Sequence, residues 1–265
     1  MMRDLAFVCN NSRKRVHIQS VITLFEILRS YGDGFSREKW RDIMTEAIKP
    51  LFTNMQLSFQ TKRFVREEEF QIHNEASREA FMRMIDIYNL YYGKLSYLLD
   101  LFLEVLAYSS ESSNEQFAQT AVKALRYLIN CCNVHFKERE WNLIIKTFGD
   151  ICKNTTPTQL LNYSLNENAL ESAEASPQNS QPVSDKSLVQ CVVQVMMIAL
   201  IKDVMESYGH RLTDTVFFSL YFKFKAHILN SKCQKFQQFC SLHINLPKNS
   251  MNKSIFVSFF GKKVH

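Results

Sequence analysis

Glycine and proline are scarce, with six and five in 265 residues. Strand-rich folds need turn residues at close spacing, and nucleotide-binding α/β folds need glycine-rich loops, so both classes are disfavoured. Paired Cys-x-x-Cys motifs are missing as well. The seven cysteines are odd in number and scattered, apart from adjacent Cys131 and Cys132. That is reduced, intracellular usage, in which cysteine packs as a small hydrophobe. Met1 to Asn10 lack the basic-then-apolar order of a secretion signal. The longest apolar run, Leu188 to Ile201, is interrupted by Gln190 and Gln194 and is shorter than a bilayer span. A cytoplasmic or peripheral protein is expected.

Acidic residues are absent from the last 35 positions. Ser231 to His265 hold six lysines and no Asp or Glu. They account for the whole net charge of +6, which leaves residues 1–230 neutral. A neutral body offers no track for a phosphate backbone, so nucleic acid is not an expected partner. The tail, 231–265, reads as unstructured, with membrane contact open to it through its lysines.

What the chain does have is helical periodicity over a 46% hydrophobic composition. Trp40, Ile43, Met44, Ala47, Ile48 and Leu51 fall on one helical face. The same spacing recurs in segments opening at Phe81, Leu95, Ala118 and Trp141. Further amphipathic segments run over 13–31, 187–207 and 213–230. Ser113-Asn114-Glu115-Gln116 reads as a capping box using the Ser113 hydroxyl and the Gln116 side chain. Gly32 and Gly34 suit a left-handed helix end, and Pro50 is expected to bend or shorten its helix. From 155 to 186 the periodicity gives way to Ser, Asn, Gln, Glu and Pro, which reads as a disordered polar linker.

A repeat unites these segments. Ser30-Tyr31-Gly32 leads to Phe35, and Trp40 follows five residues later. Phe136 leads to Trp141 at the same spacing, and Ser207-Tyr208-Gly209 leads to Leu212 and then Phe217. Each unit reads as helix, short turn anchored by a buried Phe or Leu, and a second helix opened by a large aromatic. Neither helix buries its apolar face alone, so the hairpins are expected to stack. The predicted fold is all-α, a HEAT- or armadillo-like solenoid. Its anchors are Phe35, Trp40, Phe136, Trp141, Leu212 and Phe217. Its helical-repeat region spans 1–154, and a further hairpin over 187–230 continues it.

No catalytic constellation is evident. Gly32-Asp33-Gly34 lacks the third glycine and the preceding strand of a dinucleotide loop. Cys131, Cys132 and His135 have ligand-like spacing without a second pair, so no metal is expected. Glu67, Glu68 and Glu69 point in different directions on a helix and read as a solvated face. Tyr88, Tyr91, Tyr92 and Tyr97 are candidates for a binding groove or for helix packing. No cofactor site is expected.

Several stretches resemble the brefeldin A-inhibited guanine-nucleotide exchange proteins, the large Golgi exchange factors for Arf GTPases. They are Leu24 to Gly32 with Trp40, Ile48 to Met55, Asn114 to Ala118, Phe136 to Trp141, Thr155-Thr156-Pro157 and Gln190 to Gln194. They occur in the family's order, and the likeness fades from about Ser231. In full-length members the catalytic domain lies upstream of this region, so the resemblance carries no catalytic residue here. It implies a non-catalytic regulatory or scaffold region acting in Arf activation and vesicle-mediated transport at the trans-Golgi. The partners it implies are an Arf-type small GTPase or other regions of the exchange factor. Two other readings stay open: a generic α-solenoid adaptor of nuclear transport or vesicle coats that binds a peptide or protein, and a soluble helical enzyme.

Overall fold

A computed structural model describes residues 14–61, 67–157, 185–213 and 216. The helices are α1 (Lys14–Tyr31), α2 (Arg37–Ile43), α3 (Lys49–Thr61), α4 (Glu67–Leu90), the one-turn α5 (Tyr92–Leu95), α6 (Leu99–Ser110), α7 (Glu115–Cys132), α8 (Glu138–Asn154) and α9 (Asp185–Tyr208). There is no strand among the described residues.

These helices form two layers. In the first, α1 packs on α4, α4 on α7 and α7 on α9. In the second, α3 packs on α6 and α6 on α8. Among the described residues α1, α4 and α7 each turn back into a second-layer helix, which makes an all-α stack of helical hairpins. The core lies between the layers, where the apolar face of every helix meets its neighbours. Phe81 of α4 stands 4.4 Å from Phe52 of α3 and 5.5 Å from Phe117 of α7, which links three hairpins through one aromatic run. All three rings are essentially buried.

Local chemistry differs from the sequence reading in four places. Asn114, and not Ser113, caps α7: its Oδ1 accepts the Phe117 N–H at 2.9 Å. Gln116 instead accepts from Asn74 of α4. The Glu140 carboxylate caps α8 by accepting the Lys137 N–H at 3.0 Å. Pro50 neither breaks nor ends its helix. A π-helical turn, Met44–Ile48, joins α2 to α3 just before it, and that wider turn accommodates a ring that would collide with the carbonyl four residues back.

The third difference is at the glycines: neither Gly32 nor Gly34 has a positive φ, so no left-handed cap ends α1. The chain passes into a 3-10 turn, Gly32–Gly34. The fourth is α9, which is not amphipathic. Val193 and Met197 are buried on one side, while Leu188 and Val195 are 53% and 42% exposed on the other. This helix is also long and apolar enough to cross a membrane, unlike the shorter run read from sequence. Half of its apolar window is buried within the protein, against α7 and α8.

Candidate functional site: the aromatic turn edge

The hairpin turns gather along one edge of the stack. Three of them close with the same backbone hydrogen bond. Phe35 N–H donates to Gly32 O at 3.1 Å, Phe136 N–H to Asn133 O at 3.3 Å, and Leu212 N–H to Gly209 O at 3.3 Å. In the first and third turns the anchor ring meets the indole edge to face. The Phe35–Trp40 centroids are 5.3 Å apart, and the Phe136–Trp141 centroids 5.6 Å. Trp40 and Trp141 are 1% and 2% exposed, Phe136 and Leu212 are buried, and Phe35 is half-buried. Phe217, the predicted helix 213–230 beyond Thr213 and Val216, the basic tail and positions 158–184 lie outside the described residues.

The second turn breaks the spacing, and sequence reasoning missed it. Here α4 runs through Tyr91 into α5 and a 3-10 turn, Ser96–Leu98, with no extended residue to mark a boundary. Its tyrosines join it to both neighbours. Tyr91 lies 5.5 Å from Trp40, and its hydroxyl donates to Arg29 O at 2.6 Å. Tyr97 donates to Arg37 O beneath the Arg37 guanidinium, which stands 4.3 Å from the ring centroid. Lys94 Nζ pairs with the Asp33 carboxylate at 2.7 Å. On the other side Tyr92 stacks on His135 at 4.7 Å and donates to His135 O at 3.0 Å. Burial pushes the Tyr92 and Tyr97 phenols above the usual tyrosine range, so both remain protonated donors. Tyr88, one turn earlier, is fully buried against Phe102 at 4.7 Å. Of the four tyrosines, then, three staple turns together and one fills the core.

The fourth turn repeats the contact. Tyr208 lies 6.0 Å from Trp141, and its hydroxyl donates to Asn130 Oδ1 at 3.1 Å. A tyrosine closing one first-layer helix thus packs on the tryptophan opening the previous hairpin's second helix, in two separate places. The rings leave no room for a side chain at Gly32. A Cβ there would lie 2.6 Å from both Trp40 Cζ2 and Tyr91 Cε2.

The other candidate residues make packing and helix-terminus contacts. Cys132 is buried, with its Sγ 3.5 Å from Asn89 Oδ1, while His135 faces Tyr92. Among the described residues no group of three or more His, Cys, Asp or Glu side chains is placed to hold a metal ion. Glu67, Glu68 and Glu69 occupy the first turn of α4, where negative charge suits the helix dipole. At the opposite edge Gln194 of α9, fully buried, donates to Cys152 O at 2.7 Å and to Thr155 Oγ1 at 2.8 Å. The Thr155-Thr156-Pro157 and Gln190 to Gln194 stretches, far apart in the chain, therefore meet in space.

The chain is similar in sequence to known proteins. The chain is 26% identical over 186 residues to human brefeldin A-inhibited guanine nucleotide-exchange protein 1, covering 70% of this chain and 10% of that protein. It is 22% identical over 221 residues to the Schizosaccharomyces pombe ADP-ribosylation factor guanine nucleotide-exchange factor sec72. That match covers 72% of this chain and 12% of the relative. The chain is related to the large Arf guanine-nucleotide exchange factors. Saccharomyces cerevisiae SEC7, another such exchange factor, matches 53% of the chain at 24% identity. The chain spans about a tenth of the length of the curated relatives it matches. No protein-family model matches it, and no solved structure does.

Proposed function

We propose that the chain is a non-catalytic helical-repeat scaffold of the large Arf exchange-factor type, acting in Arf activation and vesicle-mediated transport at the trans-Golgi. The observation that carries this reading is the match to proteins named for nucleotide exchange on ADP-ribosylation factor, over a region that folds as stacked hairpins. A stack of this kind has extended surfaces and a core spent on packing, which suits presentation of a partner rather than chemistry. Its partner is an Arf-type GTPase or another region of an exchange factor, with the lysines of 231–265 adding membrane contact.

Preferential contact with membrane-bound, GTP-loaded Arf would raise the local concentration of an exchange factor without catalysing exchange. The test is liposome flotation of the purified chain with lipidated Arf, loaded either with a non-hydrolysable GTP analogue or with GDP. Recruitment that needs the GTP analogue and survives removal of 231–265 is expected. Recruitment by anionic lipid alone, lost with the tail, would reduce the contact to lysine electrostatics. Nucleotide exchange on Arf by this chain above a buffer blank would overturn the non-catalytic reading.

A further inference from the structure

An exposed apolar side chain stands on the turn edge where each of α1, α4 and α7 turns back. Tyr31 closes α1, Leu90 closes α4, and Val134 follows α7 in its turn. They are 66%, 54% and 66% exposed. Tyr91 against Trp40 and Tyr92 against His135 fill the spaces between the turns, so the tips stand on a closed surface. The same edge holds two guanidinium groups over one ring. Arg37 and Arg41, one turn apart on α2, lie 4.3 and 5.6 Å from the Tyr97 ring centroid. The Tyr97 hydroxyl fixes that ring by donating to Arg37 O, and cation–π contact orders both arginines. Among the described residues neither forms an ion pair, whereas Lys94 takes the Asp33 carboxylate and the Lys137 N–H takes that of Glu140. Glu38 and Asp42 each follow an arginine by one residue, about 100° further round the helix. Like charges held together repel, and an anion bridging the two forks relieves that repulsion. Arg29, Lys39, Lys137 and Arg139 are also exposed on this edge, against Glu138.

We propose that the turn edge docks on an anionic phospholipid bilayer. Tyr31, Leu90 and Val134 enter the interfacial layer, where aromatic and aliphatic tips leave water. The Arg37–Arg41 pair holds a headgroup phosphate beside them. A bilayer answers both observations at once. Separate apolar points on a closed edge suit a soft surface that yields around each of them, whereas a docking peptide needs a groove or a strand edge. The basic groups then meet negative headgroups at the depth where the tips insert. This contact goes beyond the scaffold reading: it uses the folded repeat, needs no Arf and is separate from the lysines of 231–265.

The full chain has two tryptophans, Trp40 and Trp141, and both are buried at this edge. Their fluorescence therefore reports which edge meets a membrane. The test uses phosphatidylcholine vesicles that carry a nitroxide on the headgroup, with or without phosphatidylserine. Vesicles with phosphatidylserine should bind the chain and quench its emission. Binding without quenching overturns the proposal, because α7 is about 27 Å long and headgroups at the opposite edge lie beyond the nitroxide's reach. So does an absence of binding. Leu90→Ser combined with Val134→Ser removes two tips, and Arg37→Ala combined with Arg41→Ala removes the phosphate clamp. Each pair should weaken the quenching interaction at least tenfold, with circular dichroism checking that the variants fold. Leu57→Ser is the control, an exposed apolar residue on α3 away from this edge, and should change nothing. If it weakens quenching as much as the tip pair does, adsorption is non-specific and the proposal fails. Arf is absent throughout, so the Arf-dependent reading stands or falls separately.

Discussion

Trp40 lies over Gly32 so closely that a methyl group on that glycine would stand 2.6 Å from the indole Cζ2. The Tyr91 ring closes the space from the next hairpin at the same distance. The glycine is held by contact and not by backbone conformation, since its φ is negative. Gly32→Ala is therefore expected to cost about 1–3 kcal/mol, the usual penalty for overpacking a filled site. Gly34→Ala is the control: nothing lies within 4 Å of the added carbon, and its melting temperature should match or slightly exceed wild type. Thermal melts of the two variants separate the explanations, because a requirement for left-handed backbone would penalise both.

The Tyr88 hydroxyl is buried and finds no hydrogen-bond partner among the described residues. Burial pushes this phenol far above the usual tyrosine range. A desolvated hydroxyl without a partner costs free energy that phenylalanine does not incur. Tyr88→Phe should keep the ring contact with Phe102 and leave stability unchanged or raise it by about 1 kcal/mol. Urea denaturation that shows a clear loss would reveal a water bound to that hydroxyl.

Gln194 joins α9 to the end of α8 by its two donated hydrogen bonds. Gln194→Ala removes both bonds and leaves a hole, with an expected cost of about 2–4 kcal/mol. Hydrogen exchange should rise most in α9 and at Thr155, whereas α1 and α4 should change little. Uniform loss of protection would instead mean that the stack unfolds as a single unit.

Burial pushes the Cys132 and Cys152 thiols up to about 12. In the unfolded chain both would ionise near the ordinary value of 9, so between those limits unfolding releases protons. Their contribution to stability is complete below about pH 9 and is lost as pH rises toward 12. Melting temperature should accordingly fall over that window, and replacing both with alanine should flatten this part of the profile. In the folded protein iodoacetamide at pH 8 should label the half-buried Cys131 before either of them.

Much of the local architecture could be read from residue spacing. The 3-4-7 apolar pattern of α2, α4, α7 and α8 records which side of each helix faces inward, and Trp40 and Trp141 are buried where that pattern places them. The turn at Tyr91 could not be found this way. Its hairpin closes through a continuous run of helical residues, so it lacks the anchor-plus-five spacing shared by the other turns. The cap of α7 was misplaced by one residue, because Ser113 and Asn114 both have capping side chains and only the backbone geometry selects between them.

By itself the sequence determined helix content, inward faces and the recurrence of the hairpin, because those follow from periodicity within single segments. Tertiary structure alone decided what depends on pairs of distant residues. It set Tyr91 over Trp40 and Tyr208 over Trp141, and excluded any side chain at Gly32. It also brought Gln194 to the end of α8 and left one side of α9 uncovered. In a helix that is apolar on all sides, composition does not tell a covered face from an open one. Only the placement of its neighbours does.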